Sequence, residues 1–193
     1  MSLSNLQVDL KENMKSSIDI IKNIDLSPIA FKLTCCEDGN SWTKDRAIKA
    51  VKQYKVFLFT VLCHQKQNVS IVPTKNIDVV WHTHILDTQL YHANCQMIFG
   101  YYLHHFPYFG LRGKEDALAL KNAFEESKLL YTKYGDIFEA EFIFSNSTPS
   151  SWCEASCDGP TCDANVCDSN DCTPAINLLK SIDELLMVRP RLF

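Results

Sequence analysis

The stretch IDVVWHTHILDTQLYH, Ile77–His92, decides how this chain is read. It holds three of the six histidines, one tryptophan and two aspartates. Thr74 precedes it as a helix cap and Gly100 follows it as a terminator, which predicts one helix from about Lys75 to Phe99. On such a helix His82 and His84, two residues apart, diverge by about 200°. A pair of helical metal ligands uses separations of three or four, so His82 and His84 share one ion only where the helix starts late or is distorted. His84, Asp87, Thr88, Tyr91 and Cys95 form a cleaner stripe with His92 at its margin, and Asp78 and His82 form a separate i,i+4 pair.

The aromatic segment YYLHHFPYFGLRG follows, with His104 and His105, and a chain reversal at Pro107 would return it along the helix. Imidazole, carboxylate and thiolate together suit zinc or another borderline transition ion. The competing reading is structural, with buried histidines bonded to backbone or to Asp78 and Asp87 while Trp81 and Tyr91 fill the core. Asp87, His92 and Cys95 supply the residue types of an activated thiol, but a helical cysteine is usually a small core residue.

Outward from that helix the pattern is helical throughout. Leu6, Leu10, Met14, Ile18 and Ile21 recur at three to four residues. Ser27 and Pro28 begin a second helix, and Trp42–Cys63 a third whose later half, with Phe57 and Phe59 on further faces, belongs at the centre of the core. Ile71 and Val72 suit a brief extended contact. Another helix, acidic in its first turn, runs from Lys114 to Gly135, and DIFEAEFIF after it suits a short helix or a strand. The expected fold class is all-α, a single helical domain of about five helices over residues 1–144.

Composition changes at Ser145. Residues 145–173 carry Cys153, Cys157, Cys162, Cys167 and Cys172 among aspartates, with Cys-Asp units repeating every five residues and no Cys-x-x-Cys. Turn formers between them would let thiolates gather round zinc or copper(I), and a bound cation would offset the penalty that each neighbouring aspartate places on a thiolate. Disulfides and a plain acidic linker are the alternatives. Residues 174–193 form an amphipathic helix through Leu178, Leu179, Ile182, Leu185 and Leu186, expected to fold back on the helical domain, with a protein partner for that helix or the acidic tail as the other option.

The segments KLTCCEDGNSW, VPTKNIDVVWHTHILDTQLYH and FGYYLHHFPYFGLRG together resemble the glycine-rich domain-containing protein-like family, a conserved domain of unknown function, over about residues 25–135. Trp81, His82, His84 and Asp87 carry its most specific element. The resemblance implies a helical domain and supplies no reaction, and the chain, with only six glycines, lacks the glycine-rich regions of many members.

A formal net charge of −4 gives no basic footprint for nucleic acid, and Val56–Cys63, the longest strongly apolar run, is too short to span a bilayer. The start MSLSNLQVDLKENMK has no secretory pattern, so a cytoplasmic location is expected. In a reducing compartment clustered cysteines point to metal or redox work. The sequence therefore predicts a non-enzymatic protein binding zinc or copper(I), with metal ligands at His82, His84 and Asp87 and at Cys153, Cys157, Cys162, Cys167 and Cys172. An interaction module with a structural Trp-His-x-His core and a metal-dependent hydrolase are the rival readings.

Overall fold

A computed structural model gives the fold and describes residues 14–35, 42–67, 69–144 and 149. The expected all-α class holds, and the described residues contain no strand. The described part of α1 covers residues 14–23, followed by α2 (Ser27–Thr34), α3 (Lys44–His64), α4 (Lys75–Leu86), α5 (Thr88–Phe99) and α6 (Lys114–Gly135), with a 3-10 turn at Asp136–Phe138. The chain divides into two units, Met1–His105 with Leu120–Ser150, and Phe106–Ala119 with Ser151–Phe193. The five tail cysteines and the expected helix over 174–193 lie outside the described residues.

Local chemistry explains where these helices begin and end. Thr43 and Thr74 cap α3 and α4 through their hydroxyls, which accept from the Arg46 and Ile77 N–H groups. Ser27 does not cap α2. It is the first helical residue, and Asp25 accepts both its N–H and its hydroxyl at 2.9 and 2.6 Å. Gly100 closes α5 at φ 74°, a left-handed conformation that glycine adopts without the penalty a Cβ would bring.

The single helix expected over Lys75–Phe99 is two helices. Asp87 leaves helical geometry at φ −83°, ψ 74°, its N–H closes α4 on the His84 carbonyl, and its carboxylate caps α5 at the Leu90 N–H. Aspartate competes for backbone donors in this way, which favours it at helix ends over helix interiors. The consequence is large. Residues ten apart on one straight helix are separated by about 15 Å, yet Trp81 reaches Tyr91 at 2.9 Å and Asn94 reaches His84 at 3.1 Å. α5 therefore folds back on α4, and the single stripe from His84 to Cys95 does not exist.

The core of the first unit centres on the later half of α3, where Val56, Phe57, Leu58, Phe59 and Thr60 are all buried. Five consecutive buried residues require neighbours on every side, and α2, α4 and the 3-10 turn supply them. Phe57 packs between Tyr54 and Trp81, with ring centroids at 6.0 and 4.8 Å. The extended contact expected at Ile71-Val72 is made by side chains of α6. Ser127 accepts the Val72 N–H at 2.9 Å, and Tyr131 donates to the Val72 carbonyl at 2.7 Å. In the second unit, Asp116 accepts from the Gly110 N–H and the Arg112 guanidinium, both at 2.6 Å.

Phe57→Ala removes the ring shared by α3 and α4. It is expected to cost about 3–5 kcal/mol, measured by urea unfolding at neutral pH.

Candidate metal centre

Two histidines separated by one residue on α4 have opposite fates. His84 points inward and is 1% exposed. Its Nδ1 lies 3.0 Å from the Tyr54 hydroxyl and its Nε2 lies 3.1 Å from Asn94 Nδ2. Asn94 Nδ2 is a donor, so Nε2 accepts and Nδ1 carries the proton toward Tyr54. Both ring nitrogens are therefore committed. Burial, partly opposed by Asp87, pushes the His84 pKa down to about 4, so the imidazole is neutral at pH 7.

His82 points outward, with its side chain 51% exposed. One turn before it stands Asp78, and the aromatic loop returns to place His105 against both. His82 Nε2 and His105 Nε2 are 3.1 Å apart, His105 Nε2 and Asp78 Oδ1 are 3.2 Å apart, and His82 Nε2 and Asp78 Oδ2 are 3.6 Å apart. One donor atom from each of the three residues can be chosen so that all lie within 4.8 Å of one another. Asp78 and His105 are more sheltered, at 12% and 17% side-chain exposure. The His82 pKa is lowered by burial first and by His105 as well, against the pull of Asp78, which favours the neutral, ligating imidazole.

These separations match metal geometry. Ligands about 2.0–2.2 Å from a tetrahedral ion stand about 3.4 Å apart. Two imidazoles and a carboxylate within 4.8 Å of one another are a donor set that could hold such an ion.

Of the three helical ligands expected from the sequence, one lies in the Asp78–His82–His105 cluster. The structure brings His82 to the cluster but neither His84, whose nitrogens are spent in the core, nor Asp87, which caps α5. Asp78 and His105 take their places. The i,i+4 spacing of Asp78 and His82, and the two histidines of the aromatic loop that follows Gly100, were the available signals for this set. His104 is exposed and packs on Tyr102 at 5.0 Å between ring centroids, and His92 is also exposed. The Asp87–His92–Cys95 thiol arrangement does not form as a relay, because Asp87 caps a helix and the buried Cys95 thiol is pushed up by its surroundings.

Residues 18–128 match the family model described as UCP032817-like, more than half of the 193 residues, and the chain belongs to that family. The matched span contains Asp78, His82 and His105. The resemblance to the glycine-rich domain-containing family is overturned by this match. Its central motif divides between a core histidine, a helix cap and a surface histidine, roles that helix packing alone can impose. No curated protein and no solved structure matches the chain. Among the described residues, no helix is long and apolar enough to cross a membrane.

The buried His84 makes stability depend on acidity. Its folded pKa lies below its unfolded one, so the unfolded chain takes up the proton first as pH falls. The neutral folded form is fully favoured above about pH 6.5, and about 3 kcal/mol is lost progressively toward pH 4. Urea unfolding at pH 7 and pH 4.5 is expected to show a smaller loss for His84→Gln than for the wild type.

Proposed function

We propose that this protein binds a divalent transition metal, zinc by preference, through Asp78, His82 and His105. The observation that carries the reading is the cluster itself: the two Nε2 atoms stand 3.1 Å apart, the two Asp78 carboxylate oxygens lie 3.2 Å from His105 and 3.6 Å from His82, and one donor atom from each residue falls within 4.8 Å of the others. Two nitrogens that close are held together most favourably by a shared proton or a shared cation, and the carboxylate stabilises either. Imidazole with carboxylate suits zinc, whereas copper(I) prefers the soft thiolates of the cysteine tail. An ion here would tie α4 to the loop that follows α5, so binding and local stability are linked. Three protein ligands would leave room for an exogenous ligand or a water whose pKa the ion lowers. The proposed activity is metal binding, without an assigned reaction.

The test separates this centre from the tail. In full-length protein with all five tail cysteines changed to serine, one equivalent of zinc is expected by native mass spectrometry and elemental analysis. Asp78→Asn, His82→Ala and His105→Ala should each abolish that equivalent, while Asp87→Asn retains it. Zinc is expected to raise the melting temperature at pH 7.5, and removing the metal with a chelator should reverse that rise. No uptake at pH 7.5, or uptake unaffected by all three substitutions, would overturn the reading.

A further inference from the structure

His105 comes from a loop, whereas Asp78 and His82 come from one turn of a helix. A loop ligand needs something to hold it, and the Leu103 peptide, two residues earlier, is held through its carbonyl. Its carbonyl accepts the Tyr91 hydroxyl at 2.5 Å, and that hydroxyl in turn accepts the Trp81 indole N–H at 2.9 Å. The buried Cys95 thiol lies beside the same peptide and the Tyr91 hydroxyl. Tyr91 and Cys95 stand four residues apart on α5 and so present one face to the loop. The Trp81 ring then flanks His105 directly, with centroids 4.4 Å apart.

We infer that Tyr91 is a positioning residue for the metal centre, acting with Cys95 on the Leu103 peptide to fix His105 opposite His82. This inference rests on the proposed metal site and names the device that preorganises it. Tyr91 is buried and touches no donor atom of the triangle, so its effect passes through the loop backbone and through Trp81. Removing its hydroxyl leaves the Leu103 carbonyl and the Trp81 N–H without their partner while keeping the ring in the core. Outer contacts of this kind typically change metal affinity by about 10- to 100-fold. Cys95, a core cysteine outside the ligand set, thereby has a part in the same device.

The experiment measures zinc affinity by chelator competition, and the visible spectrum of the cobalt-loaded protein, on the full-length chain lacking tail cysteines. Tyr91→Phe is expected to weaken zinc binding by about tenfold or more and to alter the cobalt spectrum. Tyr54→Phe is the control. It removes a buried hydroxyl partner of His84 in the same core, and it should leave affinity and spectrum unchanged. In metal-free protein, the NMR contact between the His82 and His105 rings should weaken in Tyr91→Phe and persist in Tyr54→Phe. If Tyr91→Phe does not fold, Cys95→Ala carries the test, with a several-fold loss expected. Wild-type affinity, spectrum and ring contact in the folded Tyr91 variant would overturn the positioning role while leaving the site itself intact. A parent protein that takes up no zinc would instead overturn the metal site. In that case an intact His82–His105 contact in Tyr91→Phe would also show that Tyr91 does not position His105.

Discussion

The Tyr91 hydroxyl makes two hydrogen bonds at once, accepting the Trp81 indole N–H and donating to the Leu103 carbonyl. α4, α5 and the aromatic loop meet at that oxygen. A buried hydrogen bond contributes only about 0.5–1.5 kcal/mol net, but stranding a buried partner costs about 1–3 kcal/mol. Here one hydroxyl has two partners to strand. Every side-chain polar atom fully shielded from solvent among the described residues has a hydrogen-bond partner, and the second network, Tyr54–His84–Asn94, follows the same rule. The first network ties α4 and α5 to the loop that carries His105, and the second ties α3, α4 and α5 without reaching that loop.

The division between His82 and His84 follows from the same packing. With α5 folded back on α4, the face holding Trp81 and His84 must be dry, and every polar atom on it must find a partner there. His82 stays half open to solvent, while Asp78 beside it is covered and both meet His105. An inner imidazole is therefore kept neutral and inert, while an outer one remains free to ligate. A histidine pair close in sequence thus separates into a buried core member and a half-exposed member of the Asp78–His82–His105 cluster.

Much of this was legible in the residues. Thr74 and Gly100 mark the limits of the α4–α5 segment, and the apolar spacing of α3 places its later half in the core, because caps and periodicity are local properties of the chain. The divergence of His82 and His84 is equally local. What the sequence hid depended on tertiary folding. Asp87 sits between good helix formers, and its choice to cap rather than continue is decided by the packing of Tyr91 and Asn94 against Trp81 and His84. That one break moved the site from the helix to a helix and a loop. His105 and His104 are adjacent and equivalent as letters, and only the folded loop shows that His105 meets Asp78 and His82 while His104 is exposed on Tyr102.

The proposed ion is held by Asp78, His82 and His105. Anomalous diffraction at the zinc edge from crystals of zinc-loaded protein tests it most directly. The account predicts a peak about 2.0–2.2 Å from both Nε2 atoms and from a carboxylate oxygen of Asp78. Zinc bound instead at His84 and Asp87, or an empty triangle in crystals grown with excess zinc, would contradict it.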